Sequence, residues 1–141
     1  MVLLPDHVKK DVQERFKALG GHVTILNFTQ QLECQFCSET RQLLEEVASL
    51  SEKITLEVYN FQIDTEKVRQ YSIDKIPATV ILGEKDYGIR FFGIPSGYEF
   101  GSLVEAIVAT STDDSGLSEA SREKLAALED PVHIQVFVTP T

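Results

Sequence analysis

An α/β fold with a central mixed four-stranded sheet between helices is the architecture this 141-residue sequence predicts. The run His22-Val-Thr-Ile-Leu-Asn-Phe28 is nearly all apolar, the pattern of a central strand covered on both faces. Helical and strand periodicities alternate along the chain in the order α-β-α-β-α-β-β-α, which gives parallel units first and a hairpin last. The polar stretch Ser111-Thr-Asp-Asp-Ser-Gly116 then breaks the pattern and marks a boundary near residue 112.

Pro5-Asp6 opens the first helix, whose residues Val8, Val12, Phe16 and Leu19 share one face before Gly20-Gly21 stops it. After the strand at 22–28, Leu43, Leu44, Val47 and Ala48 form one side of a helix running from Cys37 to about Leu50. Residues 54–61 alternate with period two, as a half-buried strand does. Asp64 is placed to cap a short helix over 65–71. Ala78–Leu82 is a strand entered directly from Pro77, and Ile89–Phe92 returns antiparallel to it after the turn at 83–88. Phe100, Leu103, Val104, Ile107 and Val108 supply the buried face of a helix over 98–110.

Beyond the linker, 113–117, the sequence predicts another helix from Ser118 to about Glu129 and a strand from Val132 to Val138. This tail repeats the start of the chain at a constant offset of 109, Glu14 with Glu123 and Leu19 with Leu128. Val23, Ile25 and Phe28 meet Val132, Ile134 and Phe137 in the same register. Residues 118–141 therefore read as the first helix and strand of a second unit, cut just before the position equivalent to Cys34. Such a strand exposes apolar surface, so it is expected to pack on the first unit or to drive self-association.

Apolar residues are 43% and charged residues 25% of the sequence, as in ordinary globular proteins. A net charge of −9 without any basic run speaks against nucleic acid or an anionic membrane as partner. Neither a secretory leader nor a membrane span is evident, and a cytoplasmic location is expected. In that compartment a Cys-x-x-Cys is more often catalytic or metal-binding than a structural staple.

Cys34 and Cys37, the two cysteines of the sequence, fall where the first strand passes into a helix. Unpaired N–H groups and the helix dipole favour a thiolate at such an end, and the thiolate is the attacking species. Cys34 is accordingly the candidate nucleophile and Cys37 the resolving thiol, with Gln35 and Phe36 setting the turn between them. Glu33 opposes the thiolate by its charge. Alternatives are a non-catalytic interaction module, inert cysteines, and a metal-binding pair shared across a dimer. His7, His22 and His133 are scattered and complete no metal site within one chain. No metal or organic cofactor is called for.

Cys34-Gln35-Phe36-Cys37 after a buried strand, with Ile76-Pro77-Ala78 before another, resembles the thioredoxin-fold oxidoreductases. The whole pattern is most similar to the glutaredoxin-like protein disulfide oxidoreductases, which carry two such units in tandem. The resemblance implies a cis Ile76–Pro77 bond beside the cysteines, with Ile76 offering its backbone to an extended protein substrate. It also implies protein disulfides as substrates and a thioredoxin-reductase-like flavoprotein as electron donor. Departures from the pattern are plain: no Trp precedes Cys34, and Gln35-Phe36 replaces Gly-Pro. Phe28 stands where thioredoxin keeps a buried acid, which leaves Cys37 without an assigned proton acceptor.

Overall fold

A computed structural model describes residues 2–139. Helix α1 (Asp6–Phe16) precedes strand β1 (Val23–Thr29), helix α2 (Cys37–Ala48) and strand β2 (Ile54–Asn60). Helix α3 (Thr65–Gln70), the hairpin β3 (Ala78–Leu82) and β4 (Asp86–Phe92), and helix α4 (Tyr98–Thr112) complete the unit, and α5 (Glu119–Ala126) follows. The strands lie in the order β2-β1-β3-β4. β1 pairs parallel with β2 and antiparallel with β3, and β3 pairs antiparallel with β4. This is the mixed four-stranded sheet expected from the sequence.

β1 is central because its side chains are apolar on both faces. Val23 and Ile25 join residues of α1, α2 and α4 in the larger core, while Leu26 and Phe28 face a smaller one with Ile73, Ala78 and Val80. β2, at the sheet edge, keeps only Ile54 buried. Gly83 lies where a Cβ would come within 2.7 Å of the Thr110 carbonyl oxygen, so the β3–β4 turn can tuck under the end of α4 only with glycine there.

The N-terminal segment is tied down by one side chain. Glu46 on α2 accepts hydrogen bonds from the Leu3 and Leu4 backbone N–H groups at 2.7 and 3.0 Å and pairs with Lys9. Burial pushes the Glu46 carboxyl up, but the two N–H groups and Lys9 outweigh it and hold the pKa below the ordinary glutamate value. A carboxyl with a lowered folded pKa stabilises the fold above its unfolded pKa, and that contribution is lost as pH falls through the folded value. Glu46→Ala should cost about 1–2 kcal/mol near neutral pH. Thermal unfolding at neutral and at acidic pH checks this, with the gap between the two proteins closing in acid.

Three sequence expectations need correction. Asp64 does precede α3, but its side chain caps nothing in that helix. It accepts from the Asn60 backbone N–H at 2.6 Å, while Asn60 Oδ1 accepts from Gln62 and Ile63, so these two residues brace the β2–α3 loop instead. α4 runs to Thr112, past the expected end at 110, and Asp113 closes it in a left-handed conformation. Among the described residues the segment 131–139 forms no strand. Ile134 is 80% and Phe137 89% exposed, so this stretch does not pack on the first unit. The apolar pattern is there, but a strand forms by hydrogen bonding to a neighbour, and among the described residues no strand pairs with this segment. Pro140 and Thr141, the end of the expected second-unit segment, lie outside the described residues.

Candidate active site

The site is built where β1 gives way to α2. Loop 30–36 carries the chain from Thr29 to Cys37, the first residue of the helix. Gln30 Nε2 donates to the Leu32 carbonyl at 2.6 Å, bracing the loop, and Glu33 takes a left-handed conformation with φ 56° directly before Cys34. Thr40 closes the first helical turn twice over. Its backbone N–H reaches the Phe36 carbonyl at 3.0 Å and its hydroxyl donates to the same oxygen at 2.6 Å.

Cys34 and Cys37 are joined as a disulfide with their Cα atoms 5.5 Å apart. The two sulfurs are not equivalent. Cys34 is half-buried at the surface, whereas Cys37 is 1% exposed on the inner face of α2. A substrate disulfide can therefore reach Cys34 and not Cys37. On reduction, the first N–H groups of the 12-residue α2 favour charge on the sulfur beside them.

Gln35 and Phe36 are exposed in the turn between the cysteines, and Phe36 with Leu32 forms an apolar rim, 45% and 79% exposed. A cleft of about 500 Å³ opens beside both cysteines. Thr29, Ser38 and Arg41 line it from one side and Val58, Asn60 and Asp64 from the other. Arg41, whose Nε donates to Glu45 at 2.8 Å, and Asp64 bring charges of opposite sign to the cleft.

Ile76 and Pro77 are not part of that cleft lining; sheet register places them at the same end of the molecule. Phe28, near the end of β1, pairs with Ala78 at the start of β3, so the residues just before Ala78 lie beside the exit of β1 that leads to Cys34. The Ile76–Pro77 peptide is cis. The Pro77 carbonyl accepts from Gly93 at 2.9 Å, whereas among the described residues no hydrogen bond engages the Ile76 backbone. Phe92, paired with Ala78 and 38% exposed, adds an aromatic edge there, with the Lys75 ammonium 4.4 Å from its ring centre.

Sequence reasoning missed the far wall of the cleft. Asn60 ends the edge strand and Asp64 lies in the loop after it, and only the pairing of β2 with β1 brings them near the cysteines. Leu32 was legible as an isolated apolar residue in a polar loop, the one signal for the rim. Among the described residues no group of three or more His, Cys, Asp or Glu side chains is arranged to hold a metal ion.

No protein-family model matches the chain. The alkyl hydroperoxide reductase F component of Staphylococcus epidermidis is 31% identical over 141 residues, covering 99% of this chain and 25% of that protein. A NADH dehydrogenase of Ferdinandcohnia aciditolerans is 31% identical over 139 residues, again 99% of this chain and 24% of the relative. The chain thus spans about a quarter of the length of these curated relatives. Among solved structures, the corresponding alkylhydroperoxide reductase component of Enterococcus faecalis superposes with a TM-score of 0.80 at 32% identity, over 89% of this chain and 61% of that one. A protein disulfide oxidoreductase of Aeropyrum pernix gives 0.79 at 27% identity, over 91% and 56%. Fasciola hepatica thioredoxin, at 20% identity and a TM-score of 0.54, shares the fold.

Proposed function

From a chain that belongs to the thioredoxin-fold disulfide oxidoreductases, we infer a reductive relay module that exchanges disulfides with protein substrates through Cys34 and Cys37. The unequal exposure of the two sulfurs carries this reading. In the reduced protein the Cys34 thiolate attacks a substrate disulfide, forming a mixed disulfide and expelling one substrate sulfur as thiolate. Cys37, having lost its proton to solvent, attacks Cys34 Sγ. The internal disulfide forms, the second substrate sulfur leaves with the electron pair, and two electrons have passed to the substrate. Gln35 and Phe36 meet the substrate beside Cys34, and the unengaged Ile76 backbone, held by Pro77, offers hydrogen bonds to its extended chain.

The relatives named as a hydroperoxide reductase component and as NADH dehydrogenases support a reductive direction and a pyridine-nucleotide-linked flavoprotein as donor. The expected result with NADH or NADPH and a bacterial thioredoxin reductase is consumption of one reduced nucleotide per protein disulfide. No consumption with either nucleotide would remove the flavoprotein from this account. A cytoplasmic setting suits a reducing dithiol, and no described helix is long and apolar enough to cross a membrane.

Residues 1–112 form the working unit in this reading, 113–117 the linker and 118–141 the start of a second unit. The sequence repeat supports it, as does the exposure of Leu125, Leu128 and Val132 on a helix and segment that the first core does not use. A variant ending at Gly116 loses the exposed Arg122–Asp114 pair. Its melting temperature should stay within about 3 °C of the full chain. Sedimentation should show it less self-associated, since the exposed Val136 and Phe137 offer apolar surface to a second copy.

A further inference from the structure

Four polar side chains are buried in the described structure, and none is a carboxylate: Asn27, Thr40, Thr79 and Thr110. Thr40 is committed to the Phe36 carbonyl, and Thr110, whose Oγ1 is likewise unpartnered among the described residues, lies at the opposite end of the sheet against Gly83. Asn27 and Thr79 remain. Both are 0% exposed, and among the described residues Asn27 Oδ1 and Thr79 Oγ1 have no hydrogen-bond partner. The Asn27 amide nitrogen is turned to the Ala78 carbonyl at 3.4 Å, which leaves Oδ1 as the unused acceptor. An orphaned buried polar atom costs about 1–3 kcal/mol, and two of them side by side in a core call for a physical cause.

Register puts these two residues side by side. Asn27 on β1 is the direct antiparallel partner of Thr79 on β3, and such partners hold their Cβ atoms about 5 Å apart on one face. That face is the one covered by α2 and α4, since Ile25 and Ile81, the next pair along it, belong to the core with Leu44, Val47 and Leu103. α2 returns along β1 with Cys37, Thr40, Leu44 and Val47 turned inward. Leu44 and Val47 share a core with Val23 and Ile25, so the preceding turn, with Cys37 and Thr40, lies over the next position toward the site, Asn27.

Resting on the redox reading above, we propose that Asn27 and Thr79 are positioning residues that form a polar seat for the reduced Cys37 sulfur. A single water bonded to Asn27 Oδ1, Thr79 Oγ1 and Cys37 Sγ has the two to four partners a buried water needs. In the disulfide the Cys37 sulfur is a weak acceptor. When the S–S bond is cleaved it becomes a thiol and then a thiolate, which the Thr79 hydroxyl stabilises through that water. Neither side chain takes the proton, which passes to solvent; the seat lowers the cost of charging a sulfur that stays 1% exposed.

The test uses the reduced full chain and an aromatic disulfide that releases a coloured thiolate. The first burst reports attack by Cys34 and the second reports resolution by Cys37. Thr79→Val keeps shape and β-branching but removes the hydroxyl. It should slow the second burst about tenfold at neutral pH and raise its pH midpoint by about one unit, with the first burst unchanged. Thr79→Ser should restore the wild-type second burst, and Thr79→Ala serves if the valine variant does not fold. Arg41 and Asp64, the charged side chains lining the cleft with Cys37, and the exposed Glu33 and Glu39 near it are the same in all variants, so the midpoint reports the hydroxyl. An unchanged second burst, or equal slowing of both, would overturn the seat. A wild type lacking the first burst would overturn the redox reading itself.

Discussion

Cys37→Ser should arrest the reaction half-way, leaving the protein covalently joined to its substrate. Cys34 is the accessible sulfur, so the first attack needs nothing from Cys37. Resolution needs a second thiol within bonding distance of Cys34, and the 5.5 Å Cα separation of the pair provides it without backbone movement. With serine at 37 the mixed disulfide has no internal attacker and persists until an outside thiol meets it. Non-reducing electrophoresis against a protein disulfide substrate should show nearly stoichiometric adduct for Cys37→Ser. Wild type should show a trace and Cys34→Ser none. Turnover by Cys37→Ser should fall by roughly two orders of magnitude or more, since an intramolecular attacker acts at an effective concentration no free thiol reaches.

Phe28→Ala should be the most damaging single substitution outside the cysteines, and for stability rather than chemistry. The ring is fully buried on the smaller-core face of β1, stacked on Tyr59 at 5.5 Å between centroids and 6.2 Å from Tyr71. It joins β1 to β2 and to the segment after α3, at the end of the sheet that holds both the cysteine loop and Pro77. Truncation of a buried Phe typically costs about 3–5 kcal/mol, a large share of the 5–15 kcal/mol that holds a domain together. Thermal or denaturant unfolding should show that loss, whereas Phe28→Leu, which refills much of the space, should cost clearly less. A cost below about 1 kcal/mol for alanine would mean that the smaller core does not support the site end of the sheet.

The fold was legible where sequence pattern and burial say the same thing. Val23 to Phe28 is apolar at nearly every position because β1 is covered on both faces, and helix α2 shows its buried side through Leu43, Leu44 and Val47. Pro77 marked the entry to β3, and the structure has the Ile76–Pro77 bond cis at the end of the sheet where β1 leads to Cys34. The failures have physical reasons. Val132 to Val138 carries strand residues, but a strand is a relation between two segments, and among the described residues no strand pairs with this one. Asp64 has the residue type of a cap, yet its carboxylate bonds back to Asn60. Asn27 went unnoticed inside an apolar run, because only the pairing with Thr79 sets its buried amide beside a second buried polar side chain.

The electrostatic setting of Cys34 combines effects of opposite sign. The start of α2 favours its thiolate, and the exposed Glu33 beside it does not. Glu33 is exposed and its charge is screened by solvent, whereas the helix N–H groups are fixed in place. The helix end therefore sets the direction.

Reduction of insulin disulfides, with dithiothreitol as the terminal reductant, tests the central assignment most directly. The wild-type protein should accelerate the reaction well above the dithiothreitol background, and Cys34→Ser should return it to that background while remaining folded. Equal rates for the two proteins would contradict the assignment of Cys34 as the attacking sulfur and leave this domain as a binding module.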